Sequence, residues 1–264
     1  MRYSGKTVVV TGSGREQGLG QAILQRFAGE GANCVVSDLA ITPETEGVAE
    51  DLRKRGGKVA CIACDVGSAA QCGTLIDRTV DTFGTVDVMV NNAGIGFMMQ
   101  PLLEAEPADW DRVLAVNLSG AFYCTQAAAR AMIKTGSGGR IINIASQAGK
   151  TAVPHMASYI ASKHGMIGLT RAAALKLGGY GITVNAVCPN HVTTGLGSRQ
   201  NEYFSKLLGF ESVAAYLANL ARRNPMGRPG LATDTASACA WLASDDAAYI
   251  TGEALNVSGG EEMH

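Results

Sequence analysis

Tyr159 and Lys163 stand four residues apart in a stretch, Ser158–Leu177, whose spacing predicts a helix. Positions i and i+4 share a helix face, so the phenol and the ammonium are neighbours. A free tyrosine titrates near pH ~10. An adjacent positive charge favours the phenolate and lowers that value. A phenol tuned in this way can exchange a proton close to neutral pH, as acid–base chemistry on a hydroxyl or carbonyl requires.

A second constellation opens the chain. The apolar run Thr7–Thr11 predicts a strand, and Gly12 follows it. Ser13-Gly14-Arg15-Glu16-Gln17-Gly18-Leu19-Gly20 then leads into a helical stretch, Gly20–Ala28. A glycine-rich turn between strand and helix lets backbone N–H groups approach a pyrophosphate, and the helix N-terminus adds positive potential. Gly12, Gly18, Leu19 and Gly20 are the candidates for that contact. Asp38 ends the second strand, about 20 residues after the glycines, where a carboxylate binds an adenosine ribose diol. It would repel the 2′-phosphate of NADP, which favours NAD. Arg15 pulls the other way, since it could pair with that phosphate. A solvated strand-end aspartate is the plain alternative.

The elements that must position these residues alternate between strand and helix. Strand-like runs fall at Thr7–Thr11, Cys34–Ser37, Lys58–Ala63, Val86–Val90, Arg140–Ile144, Thr183–Val187 and, more weakly, Ala254–Val257. Helical stretches fall at Gly20–Ala28, Glu44–Arg55, Ala69–Thr82, Trp110–Lys134, Ser158–Leu177 and Asp234–Ala243. Several strands are unbroken apolar runs, as in a parallel sheet covered on both faces. The expected fold is therefore α/β: a single-domain, Rossmann-like, doubly wound parallel sheet of about seven strands with helices on both faces. Residues 1–264 read as one dinucleotide-binding and catalytic domain. Only 195–230 breaks the rhythm. Following the C-terminal edge of the sixth strand, where open sheets bind ligands, it reads as a substrate lid. A surface helix packing on the core is the alternative.

Composition narrows the function classes. Of 264 residues, 47% are hydrophobic and 17% charged, enough for a large core. The net charge of -1 offers neither nucleic acid nor a membrane surface a basic patch. No apolar run reaches the roughly 18 residues of a membrane helix. Met1–Lys6 leaves no room for a signal peptide before the first strand, so a cytoplasmic protein is expected. Cys61 and Cys64 form a C-x-x-C, but alternation along a strand turns them to opposite faces, and no metal or disulfide is expected there.

Further along stand Asn91-Asn92-Ala93-Gly94, then Asn117, then Ser146 thirteen residues before Tyr159, then Tyr159-Ile160-Ala161-Ser162-Lys163. Together with the glycine turn these resemble the short-chain dehydrogenase/reductase family, over Lys6 to Gly260. The resemblance implies that Tyr159 is the general acid/base and that Lys163 tunes it and holds the nicotinamide ribose. It implies that Ser146 orients the substrate oxygen and that Asn117 steadies a water joining Lys163 to solvent. Asp65 and Val66 match the adenine-pocket pair, and Asn92, Ala93 and Gly94 the segment lining the adenosine ribose. Pro189-Asn190-His191-Val192-Thr193-Thr194 resembles the family's P-G-x-V-x-T, which assigns Val192 and Thr194 to the nicotinamide carboxamide. Two departures stand out. Five residues separate Gly12 from Gly18 where the family has three, and Asn190 replaces a glycine. Asparagine tolerates left-handed backbone better than most residues.

Around the substrate the resemblance places Gln147, His155 and His191. Polar groups there suit a hydroxylated substrate, whereas Met98, Met99 and the apolar lid suit an apolar one. Singly, Ser146, Asn117 and Tyr159 could be a strand-end serine, a helix-interior polar residue and a packing residue. The leading expectation is an NAD-dependent dehydrogenase acting on a small secondary alcohol, sugar or polyol. A 3-oxoacyl-type reductase and a non-catalytic dinucleotide-binding regulator are the rivals. The family commonly forms homotetramers through the long helices on either side of the fifth strand. Here these carry Ala127, Ala128, Ala129 and Ala131, and Ala172, Ala173 and Ala174.

Overall fold

The computed structural model describes residues 1–96, 98–192 and 194–263. Seven strands, β1 (Thr7–Thr11), β2 (Asn33–Asp38), β3 (Val59–Ala63), β4 (Val88–Asn91), β5 (Gly139–Ile144), β6 (Ile182–Pro189) and β7 (Ala254–Val257), form one sheet in the order β3-β2-β1-β4-β5-β6-β7. All six pairings are parallel. The fold is α/β and Rossmann-like, as the alternation of elements predicts.

The helices are α1 (Leu19–Gly29), α2 (Pro43–Lys54), α3 (Ala69–Phe83), α4 (Pro107–Leu114), α5 (Gly120–Thr135), α6 (Ala157–Leu177), α7 (Gly195–Leu207), α8 (Val213–Arg223) and α9 (Ala232–Leu242). Side chains alternate across a strand, so β1 feeds two cores. Val8 and Val10 pack with Ile23, Leu24, Phe27 and Ala240 on one side. Val9 packs with Leu75, Ile76 and Met132 on the other. Burial on both faces is why β1 reads as an unbroken apolar run.

The predicted helix Trp110–Lys134 departs from a single regular element. Between α4 and α5 lies a π-helical turn, Ala115–Ser119, centred on the fully buried Asn117. Such bulges recur at functional sites because they re-aim one residue without breaking the helix. The stretch 195–230, which breaks the strand–helix rhythm, holds α7 and α8. Tyr216 and Leu220 of α8 are buried, while Leu207 and Leu208 at the end of α7 remain exposed. Cys61 and Cys64 diverge as alternation requires: Cys61 lies against Glu46, and Cys64 against Cys72. Among the described residues no helix is long and apolar enough to cross a membrane, and no group of three His, Cys, Asp or Glu is arranged to hold a metal.

Candidate active site

The sheet's strand order reverses between β1 and β4, and ligands bind open sheets outside such a point. There the loops after the two strands interlock. Asn92 Nδ2 donates to the carbonyls of Thr11 (2.8 Å) and Gly12 (2.9 Å). Thr11 Oγ1 accepts from the backbone N–H of Asn92 (3.2 Å) and Ala93 (3.1 Å). Gly12 has φ +63°, and a Cβ there would lie 2.8 Å from Ala93 Cα, so only glycine fits. A Cβ on Gly20 would lie 2.7 Å from the Gly12 carbonyl oxygen, so helix and turn are in close contact.

These residues fit a dinucleotide. The N-termini of α2, α3 and α8 are capped by Thr42, Ser68 and Ser212. Helix α1, like α4, α6 and α7, has no side-chain cap, and no acid lies in its first turn. Its N–H groups are left to an anion, the role of a phosphate. The two extra loop residues do not fill this space. Arg15, Glu16 and Gln17 are exposed, with the Glu16 N–H on Glu44 (3.0 Å) and the Gln17 N–H on Gln21 (2.7 Å). Asp38 reaches back to the turn, its Oδ2 accepting from the Gly14 N–H at 2.9 Å and its Oδ1 from the Leu39 N–H at 2.9 Å. Asp65 accepts from the Gly67 N–H at 2.9 Å, and Val66 is buried against Gly120. After β6 the Thr194 N–H donates to the Val192 carbonyl at 2.9 Å, forming a tight turn into α7. Thr193 lies outside the described residues.

Ser146, Tyr159 and Lys163 are brought together. The Ser146 side chain stands close enough to the Tyr159 hydroxyl to favour its ionised form. Ser146 Oγ accepts from the Ala148 N–H at 3.1 Å, which fixes the serine just after β5. Lys163 Nζ lies 5.5 Å from the centre of the Tyr159 ring and donates to the Ile144 carbonyl at 2.7 Å. A buried polar ladder seats α6 on the sheet. Asn91 Nδ2 donates to Asn143 Oδ1 (2.7 Å), and Asn143 Nδ2 to Thr170 Oγ1 (2.8 Å). Gly96 lies on the Tyr159 ring, where a Cβ would come within 2.9 Å of it.

Burial acts on both members of this pair. Burial raises the Tyr159 phenol above its ordinary value, and the Ser146 side chain only partly offsets it. The Lys163 ammonium points at the Ile144 carbonyl and is itself desolvated. Burial brings Lys163 down to about 8, so the ammonium is held at a cost to its charged form.

Asn117 pins the loop after β4 from beneath. Its Nδ2 donates to the Ile95 carbonyl (2.9 Å) and to Ser162 Oγ (3.1 Å), and its Oδ1 accepts from the Ile95 N–H (2.8 Å). Gly94 sits between Asn117 and Lys163. Asn117→Ala is expected to cost about 2 kcal/mol of stability, since three hydrogen bonds go and partly buried backbone groups lose partners. Urea unfolding checks this, and a loss within error would mean the loop is held by other contacts.

Around this centre Gln147 is buried beside Ser146, and its Oε1 has no partner among the described residues. His155, at φ +65°, shares a 2.7 Å hydrogen bond with Tyr203 of α7, and Gln200 Nε2 donates to the Gly96 carbonyl at 3.2 Å. Tyr203 and Gln200 are absent from the sequence expectations, although three-residue spacing puts them on one helix face. His191 is less open. Its Nε2 faces Glu261 Oε1 at 3.9 Å, and burial lowers its pKa.

A family model described as enoyl-(acyl carrier protein) reductase matches residues 12–262. The chain is 36% identical over 258 residues to the 3-oxoacyl-[acyl-carrier-protein] reductase of Staphylococcus aureus, covering 98% of both chains. It is also 36% identical over 266 residues to the sorbitol dehydrogenase of Cereibacter sphaeroides, covering both chains fully at 100%. The structure of an NAD+-bound xylitol dehydrogenase superimposes with a TM-score of 0.91 at 33% identity, covering 98% of this chain and 100% of that one. These names span acyl-carrier and polyol substrates, so they carry chemistry further than substrate. The chain belongs to the short-chain dehydrogenase/reductase family, and is an NAD(P)-dependent oxidoreductase of that family.

Proposed function

We propose that this protein moves a hydride between NAD(H) and a secondary alcohol/ketone pair on a sugar, polyol or similar hydroxy compound. The observation that carries this reading is the Tyr159 phenol beside Ser146, with Lys163 one helical turn further along the same face. Ser146 orients the substrate oxygen. Tyr159 Oη accepts its proton during oxidation and returns it during reduction. Asn117 holds the loop against which Lys163 lies and serves the proton path from Lys163 to solvent. When bound, NAD+ would supply the hydride acceptor and a positive charge that would favour the phenolate against the burial that raises it.

Gly12, Gly18, Leu19 and Gly20 would hold the pyrophosphate, Asp65 and Val66 the adenine, and Asn92, Ala93 and Gly94 the adenosine ribose. Val192 and Thr194 would hold the carboxamide, and Lys163 the nicotinamide ribose. On the substrate side, Gln147 Oε1, without a partner among the described residues, and the His155–Tyr203 pair offer hydrogen-bonding groups that a hydroxylated substrate would satisfy. Residues 195–230 act as the lid, latched through Gln200 and Tyr203. The whole chain is one domain. It is expected to assemble as a homotetramer. Ala128, Ala129 and Ala174 are spent on its own core, but Phe122, Ile133 and Leu175 on α5 and α6 stay exposed. Light scattering after size exclusion tests this, and a monomer would refute it.

The cofactor preference is tested by calorimetric titration of NADH and NADPH. The carboxylate of Asp38, fixed at the glycine turn, is expected to give NADH at least a roughly tenfold advantage, equal to about 1.4 kcal/mol. Asp38→Ala is expected to narrow that ratio. An unchanged ratio would assign the preference to another group.

A further inference from the structure

Glu261, in the segment after β7, has a side chain only 6% exposed. A carboxylate removed from water is costly unless it is paired, and this one is answered from two other elements. Asn190 Nδ2, in the turn after β6, donates to Glu261 Oε2 at 2.6 Å, and His191 Nε2 of the same turn lies 3.9 Å from Oε1. Arg223 Nη2, at the end of α8, lies 3.5 Å from Oε1. The segment carrying Glu261 is itself seated on the end of α8. Asn224 Nδ2 donates to the Ser258 carbonyl (2.8 Å), and the Met226 N–H to the Gly259 carbonyl (3.3 Å). Gly259 adopts φ +62°, and a Cβ there would collide with the Asn224 side chain, so the docking admits only glycine. Asn190 is also the residue at which this chain departs from the family's turn, and Glu261 is what its side chain holds.

We propose that Glu261 is a positioning residue that ties the Asn190–His191 turn to lid helix α8, so that cofactor seating and lid position are set together. This rests on the reading of Val192 and Thr194, in the same turn, as the carboxamide contacts. Removing the carboxylate frees Asn190 and Arg223 at once. The turn then loses its anchor on one side, and α8 loses its link to the turn. A glutamine at 261 keeps an oxygen for Asn190 but gives up the charge that attracts Arg223.

The test uses the full chain as wild type, Glu261→Gln and Glu261→Ala. Amide hydrogen exchange is followed without cofactor, NADH affinity by calorimetry, and KM and kcat for NAD in turnover. Glu261→Ala is expected to speed exchange in both 190–194 and 213–223. It should weaken NADH about tenfold, the scale of one charge-assisted hydrogen bond, and raise KM for NAD while kcat moves less than about threefold. Glu261→Gln is expected to speed exchange mainly in 213–223 and to weaken NADH less. Should the alanine variant not fold, the glutamine variant decides by the same exchange pattern. Faster exchange confined to 258–263, with NADH affinity unchanged, would overturn the proposal and leave Glu261 docking only its own segment. A wild type that binds no NADH would defeat the cofactor reading instead, while exchange in the cofactor-free chain would still decide the tether.

Discussion

Tyr159→Phe is expected to lower kcat by about three orders of magnitude, within the range that a positioned acid–base group supplies, while NADH affinity stays within about threefold. The phenol oxygen is the only atom removed. The ring remains packed on Gly96, and the backbone of α6 remains fixed by the Asn91–Asn143–Thr170 ladder. The loss therefore reports proton transfer rather than a distorted site. Ser146 keeps its bond from the Ala148 N–H, so the serine does not drift when its tyrosine partner goes. Stopped-flow binding of NADH alongside steady-state turnover separates the two effects. Turnover within tenfold of wild type would assign the proton to another group.

Lys163→Met is expected to abolish most turnover, by at least about a hundredfold, and yet to raise the melting temperature near neutral pH. Burial lowers this lysine from 10.5 to about 8. Below pH 8 it is protonated both folded and unfolded, and the folded state carries the whole cost of a desolvated ammonium. Between 8 and 10.5 only the unfolded chain stays protonated, so stability rises with pH through that window, and above it the cost is gone. A shift of this size corresponds to about 3 kcal/mol. Methionine fills a similar volume but leaves the Ile144 carbonyl without its donor, which takes back about 1 kcal/mol. The net gain of about 2 kcal/mol corresponds to roughly 5 °C in Tm for a chain of this size. Scanning calorimetry is expected to show that advantage near pH 7 and to lose it by pH ~10. A variant that melts below wild type at both values would mean that the lysine stabilises the fold. Sites that hold a strained charge for function commonly gain stability when it is removed.

The fold was legible because each strand buried on both faces must be apolar throughout. The run Thr7–Thr11, buried at every position, matches β1 residue for residue, and the weaker run Ala254–Val257 matches β7 although that edge strand is only half-buried. The helix expected over 110–134 is continuous, but the π turn inside it was not legible, because that turn is made by a long-range event. Asn117 is captured by the backbone of Ile95, twenty-two residues away, and no local pattern encodes that. Tyr159 and Lys163 could be placed by helical spacing alone, but the direction of the lysine could not, since its partner is a main-chain carbonyl of β5. Glu261 belongs to no motif in the sequence. Its burial depends on Asn190 and Arg223, which the fold brings in from two other elements. The extra glycine-loop residues were legible as an insertion, and their outward course follows from their polarity.

The most direct measurement follows NADH absorbance while the purified chain meets secondary alcohols, sugars, polyols and 3-hydroxyacyl thioesters, each with NAD and with NADP. The account predicts turnover with NAD on a hydroxylated secondary alcohol, little with NADP, and near-complete loss in Tyr159→Phe. Turnover only with NADP on the thioesters would contradict it and make the chain a 3-oxoacyl-type reductase. Tight NADH binding with no turnover on any class would contradict the enzymatic reading itself.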